Sequence, residues 1–97
     1  MSETQNIKKI SEFKDNSLLI VDDDNTFRER LSRAMEKKGF QVSQAESVKT
    51  GIESVKLKKP AFAVVDLRLN DGNGLKIVRE IQTNNPDSRI IMLTGYG

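Results

Sequence analysis

Three short apolar runs divide the chain, and each one ends in polar residues. Leu18-Leu19-Ile20-Val21 runs into Asp22-Asp23-Asp24, and Ala61-Phe62-Ala63-Val64-Val65 runs into Asp66. Ile90-Ile91-Met92-Leu93 ends in Thr94-Gly95. Runs this short and bounded by turn-forming residues predict buried strands rather than helices. The run over 61–65 shows no polar alternation, as expected of a strand covered on both faces. Phe40-Gln41-Val42-Ser43 does alternate and predicts a peripheral strand.

The segments between these runs carry helical spacing. Phe27, Leu31, Ala34 and Met35 recur on one face of a helix over roughly 25–38, with Arg28, Glu29, Arg30, Arg33 and Glu36 on the others. Asp24 or Asn25 is placed to cap it, and Gly39 follows its last turn as a C′ glycine. Ser47 is the N-cap candidate of a helix reaching about Leu57, with Val48, Ile52 and Val55 inward and Pro60 beyond its end. Residues 66–74 hold Asn70, Asp71, Gly72, Asn73 and Gly74, a turn-rich loop. A third helix follows with Leu75, Ile77, Val78 and Ile81, then Pro86 and the strand over 89–93. Residues 1–16 are polar and aperiodic, with isolated Ile7, Ile10 and Phe13, and read as a tail or a short helix lying on the domain. The order β-α-β-α-β-α-β over 17–97 implies an α/β domain, a doubly wound parallel sheet joined by right-handed crossovers.

Composition narrows the chemistry. The 97 residues allow one small domain. Without cysteine or histidine there are no disulfides, thiolate metal sites, imidazole zinc sites or Ser-His-Asp catalysis. Sixteen Lys and Arg against 14 Asp and Glu leave a formal charge of +2, which is no nucleic-acid footprint. Lys37-Lys38 and Lys56, Lys58, Lys59 fall near predicted helix ends, where cations favour the helix dipole. No apolar run approaches the roughly 20 residues of a membrane span, and Lys8-Lys9 has no apolar segment behind it that would make a signal peptide. A soluble, cytoplasmic protein is expected.

Parallel strands put the polar ends of the runs at one edge, where open α/β sheets bind ligands. Asp22, Asp23 and Asp66 would then meet at adjacent strand ends and repel one another unless a cation is present. An all-oxygen donor set suits Mg²⁺, which keeps several waters and shares its shell with phosphate. A metal-screened carboxylate can attack phosphorus to give an aspartyl phosphate. Thr94 could hydrogen-bond a phosphoryl oxygen, and Gly95 leaves the backbone open beside it.

The stretches LLIVDDD, the helix ending in KKGF, AFAVVDLRLNDGNGL and IIMLTGYG resemble the receiver domain of two-component response regulators, the CheY-like fold, over residues 17–97. AESVKTGIE, AFAVVDLRL and LTGYG look closest to the RegA/PrrA/ActR group of redox-responsive regulators. The resemblance implies a sheet of order 2-1-3-4 with Asp66 as phosphoacceptor. It implies Mg²⁺ held by Asp22, Asp23, Asp66 and the backbone carbonyl of Arg68, Thr94 as switch hydroxyl, and Gly74 opening the third helix. It further implies a sensor histidine kinase as phosphodonor, slow self-dephosphorylation rather than true enzyme activity, and a role in transcription regulation. Asp24 is the candidate cap of the first helix rather than a metal ligand.

Two departures stand out. The family's proline four residues after the phosphoacceptor is Asn70 here. The sequence stops at Gly97, before the further helix, fifth strand and fifth helix of a full receiver and before the lysine that contacts the phosphoryl group; Lys49 and Lys76, on helices, do not replace it. A truncated receiver is expected to be impaired and to self-associate through strand 89–93, left as an apolar edge. No helix-turn-helix is legible, so direct DNA binding by this chain is not expected. Two rivals remain. A pseudo-receiver would act as an interaction module without phosphorylation. Asp22-Asp23-Asp24-Asn25-Thr26 also fits the DxDxT motif of haloacid-dehalogenase-type phosphatases, with Asp22 as nucleophile, Asp24 as general acid and Thr94 in the second motif.

Overall fold

The computed structural model describes residues 15–94. Along the chain these form β1 (Ser17–Val21), α1 (Asn25–Lys37), β2 (Gln41–Ala45), α2 (Val48–Lys58), β3 (Phe62–Asp66), β4 (Arg68–Leu69), β5 (Gly72–Asn73), α3 (Leu75–Asn84) and β6 (Arg89–Leu93). The main sheet is parallel with order β2-β1-β3-β6. The expected 2-1-3-4 order is therefore present, with β6 as its fourth strand. The expectations for Ile7, Ile10, Phe13 and Gly95 lie outside the described residues.

The apolar runs of β1 and β3 become strands because both of their faces are used. Leu19, Val21, Ala63 and Val65 point to one face and meet Val48 and Val55 of α2 and Ile77, Val78 and Ile81 of α3 in a single buried cluster. On the opposite face Leu18, Phe62 and Val64 meet Met35 of α1 and Phe40, and border an apolar recess of about 290 Å³. Phe40 and Phe62 stack edge-to-face there, with centroids 5.3 Å apart.

Polar side chains start the helices. Asp24 caps α1, its Oδ1 accepting from the Phe27 amide at 3.1 Å. Ser47 and Thr50 form a capping box at α2, with the Thr50 amide donating to Ser47 Oγ at 3.0 Å and the Ser47 amide to Thr50 Oγ1 at 3.2 Å. Gly39 ends α1 with φ 103°, as a C′ glycine should.

Three expectations need correction. β2 runs over 41–45, not 40–43: the Phe40 amide still bonds the Met35 carbonyl at 3.1 Å, and pairing with β1 continues to Val21↔Ala45. The loop over 66–74 contains a small antiparallel hairpin, β4 with β5, whose turn is Asn70-Asp71. Asp71 at its tip reaches α2 and accepts from the Val48 amide at 2.7 Å and the Lys49 amide at 3.1 Å. These two donors hold the Asp71 carboxyl below its ordinary value. Finally, the inward stripe of α1 is rotated. Arg28 and Ser32 are buried, while Phe27 is 42% exposed and Ala34 is exposed. The buried Arg28 guanidinium is bonded to the Asp22 carbonyl and to Gln44 Oε1.

Gly74 opens α3 against the backbone of Asp66. A Cβ there would collide with the Asp66 carbonyl oxygen and sit 3.1 Å from Leu67 Cα. The Gly74 amide donates to the Leu67 carbonyl at 3.0 Å, so neither backbone can move freely. Gly74→Ala is expected to destabilise the fold by about 1–3 kcal/mol, the usual range for overpacking, read by urea denaturation. Gly51→Ala should cost less, because its Cβ meets side chains rather than backbone, Ile77 Cδ1 at 2.6 Å and Cγ1 at 3.2 Å and Val21 Cγ1 at 3.6 Å.

Candidate functional site

Register delivers the acidic residues to one edge. β1 and β3 pair with Val21 beside Val65, so Asp22 and Asp66 leave adjacent strands at the same level. A carboxylate oxygen from each of Asp22, Asp23 and Asp66 can be chosen so that all lie within 4.8 Å of one another. Asp22 and Asp66 are buried, and Asp23 is half-buried. On the next strand Leu93 is the register partner of Asp66, and the Leu67 amide donates to the Leu93 carbonyl at 2.9 Å. Thr94, the following residue, therefore leaves β6 at this same edge and is exposed.

Local hydrogen bonds aim the carboxylates. Asp22 Oδ1 accepts from the Asp24 amide at 2.8 Å, and Asp66 Oδ1 accepts from the Arg68 amide at 2.9 Å. Each is a short turn in which a side chain stops its own chain from running on as a strand. The Asp22 amide donates to the Ala45 carbonyl at 3.1 Å, tying the site to β2. Arg68 itself lies in β4, directly beyond the site.

The donor set is all hard oxygen, which fits Mg²⁺ or Ca²⁺ and not a soft metal. Two unit charges about 4 Å apart repel by about 4 kcal/mol at an effective dielectric of about 20. Burial first of all, then the repulsion of Asp66, Asp23 and Asp24, raises the Asp22 carboxyl above its ordinary value despite the bond from the Asp24 amide. Asp24 is outside the trio and is engaged at the α1 cap, as expected. That engagement disfavours the DxDxT reading, which needs Asp24 as a general acid.

Arg28 and Gln44 were not among the sequence-derived candidates. Arg28 Nη1 donates to the Asp22 carbonyl at 2.7 Å, and its Nε to Gln44 Oε1 at 2.9 Å. The available signal was periodicity: Arg28 lies three and seven positions before Leu31 and Met35, on the half-buried stripe of α1.

The raised Asp22 carboxyl makes a signed prediction. Between the ordinary carboxylate value and the raised one, the folded state keeps a proton that the unfolded state has released. Stability therefore falls as pH rises through that window, and the penalty is fully present above it. In EDTA at pH 7, Asp22→Asn should raise Tm by a few degrees, 1 kcal/mol being about 4–8 °C in a domain of this size. The gain should shrink as the pH is lowered into the carboxylate range. Thermal melts of both proteins across pH check this.

Comparison with known proteins agrees with this geometry. Residues 18–97 match the response regulator receiver domain family. The chain is 57% identical over 83 residues to the photosynthetic apparatus regulatory protein RegA of Rhodobacter capsulatus, covering 86% of this chain and 45% of that protein. It is 55% identical over 83 residues to the acid tolerance regulatory protein ActR of Rhizobium meliloti, covering 86% of this chain and 43% of that one. The chain thus spans less than half the length of these relatives. Among solved structures, a Burkholderia pseudomallei response regulator with a phosphorylated aspartic acid, calcium ion and citrate superposes with TM-score 0.80 at 34% identity, covering 86% of this chain and 49% of that one. A CheY-like receiver domain from Methanospirillum hungatei gives 0.79 at 26% identity, covering 87% and 67%. With its sheet order, its acidic edge and these relatives in agreement, the chain belongs to the response regulator receiver domain family.

Proposed function

We propose that the chain accepts a phosphoryl group on Asp66 from a phosphohistidine of a sensor histidine kinase, with Mg²⁺ bound beside it. The observation that carries this reading is the convergence of Asp22, Asp23 and Asp66 within 4.8 Å at the ends of adjacent parallel strands. An Asp66 carboxylate oxygen forms the new bond to phosphorus as the phosphorus–nitrogen bond to the imidazole breaks. The bonding electrons leave with the ring nitrogen. Asp22 and Asp23, with Asp66 and the Arg68 backbone carbonyl, would hold the Mg²⁺, which offsets the charge of carboxylates and phosphoryl oxygens. Asp66 Oδ1 is already held by the Arg68 amide, so the carboxylate is oriented before the donor arrives. Thr94 is the switch hydroxyl on this reading, following β6 at the level of Asp66. A local charge event at the site would then bias Thr94 between two states.

As these relatives are regulatory proteins, we place the chain in transcription regulation, within a two-component pathway of the cytoplasm. Among the described residues no helix is long and apolar enough to cross a membrane. The domain division proposed is a tail over 1–16 and a receiver over 17–97.

Incubation with acetyl phosphate and Mg²⁺ should add one phosphoryl mass to the wild type and none to Asp66→Asn, read by intact mass spectrometry. Labelling that survives Asp66→Asn contradicts the assignment. Release of phosphate from a generic phosphomonoester, abolished by Asp22→Asn but not by Asp66→Asn, would favour the phosphatase reading. Absence of Mg²⁺ binding would favour the pseudo-receiver.

β6 is an edge strand of the described sheet, with Ile91 62% and Met92 49% exposed. We expect two copies of this 97-residue chain to meet along it, where unpaired backbone groups and apolar side chains coincide. Light scattering on a size-exclusion column should show a dimer or larger species at high concentration. A compact monomer there would contradict the expectation.

A further inference from the structure

Arg28 is 8% exposed at the start of α1, and the phosphoacceptor reading gives it no task. Burying a guanidinium is costly unless its hydrogen bonds repay the lost water. The two bonds it makes go to neutral acceptors, the Asp22 carbonyl at 2.7 Å and Gln44 Oε1 at 2.9 Å. Neither bond neutralises a carboxylate of the acidic trio. What they fix is position. The Asp22 carbonyl belongs to the planar peptide joining Asp22 to Asp23, so holding its oxygen also sets where Asp23 begins. The other side of Asp22 is held by the Ala45 carbonyl at 3.1 Å. Its carboxylate is held by the Asp24 amide at 2.8 Å. Gln44 precedes Ala45 on β2, so guanidinium, amide and both acidic residues form one braced unit across the β1 and β2 ends. Within α1, Ser32 Oγ donates to the Arg28 carbonyl at 2.8 Å.

We propose that Arg28, braced by Gln44, is a positioning residue for the cation site: it holds the Asp22–Asp23 peptide so that the Asp23 carboxylate stays beside Asp22 and Asp66. This rests on the metal-binding reading given above. The competing role is adhesive, with Arg28 only fastening α1 to β2. The two roles part company in metal affinity. Planar guanidinium geometry matters to the brace, and lysine keeps the charge but not the fork.

Isothermal titration with Mg²⁺, alongside melts in EDTA, separates them. Arg28→Lys should weaken Mg²⁺ binding about tenfold or more, the usual effect of losing a group that orients a metal ligand. Gln44→Ala, on an exposed residue, should weaken it in the same direction by a smaller factor. The double variant should bind no more weakly than Arg28→Lys alone, because one brace is being cut twice. Arg33→Ala, exposed on the same helix, should bind as the wild type does. Unchanged Mg²⁺ affinity in Arg28→Lys and Gln44→Ala, whatever happens to Tm, overturns the proposal. If Arg28→Lys does not fold, Gln44→Ala decides by the same criterion. A wild type that shows no saturable binding overturns the metal reading itself, and the brace falls with it.

Discussion

Repulsion among Asp22, Asp23 and Asp66 is the constraint around which the described structure is arranged. Three carboxylates within 4.8 Å at one sheet edge oppose folding unless something holds them there. What holds them is the apolar interior a few residues away. Leu19, Ile20 and Val21 of β1 and Ala63 and Val65 of β3 are at most 2% exposed, and their parallel register leaves no freedom in where the next residue falls. Burial on both faces of these strands thus sets the spacing of charges at their ends. A site of this kind stores its unfavourable energy locally and offers it to a cation that relieves it.

The backbone around the trio is correspondingly well satisfied. Turns at Asp22 and Asp66 spend one oxygen of each carboxylate on an amide two residues later. Asp71, at the tip of the hairpin that follows Asp66, ties that hairpin to the first turn of α2. No buried side-chain nitrogen or oxygen among the described residues lacks a partner. Gly74 lets α3 begin directly against Asp66, and β6 pairs beside it. Rigid surroundings and a repulsive centre together suit a site that responds to charge.

Much of this was legible in the residues because burial and periodicity act in concert. The runs at 18–21, 61–65 and 90–93 have no polar alternation, and all became strands; Ser47 and Asp24 sit where caps are needed, and both cap. What was not legible depended on distant partners. β2 extends to Ala45 because β1 pairs with it, and nothing in Gln44-Ala45 alone says so. The β4–β5 hairpin consists of two-residue strands, too short to leave a periodic trace. Arg28 looked like a solvated residue because charge is normally outside; its burial follows from the Asp22 carbonyl and Gln44, sixteen residues away in sequence. The carboxylate site itself was readable because strand ends are where parallel sheets gather chemistry, and both acidic strand ends bordered apolar runs.

The central claim is that the three carboxylates form one cation site. Paramagnetic Mn²⁺, substituted for Mg²⁺ and titrated into isotopically labelled protein, tests it most directly by the amide resonances it broadens. Broadening should centre on residues 22–24 and 66–68, reach Thr94, and be weakest at Ser17, Gln41, Phe62 and Arg89 at the opposite ends of the strands. Broadening spread evenly over acidic positions such as Glu29, Glu53 and Asp87, or absent altogether, would contradict the account.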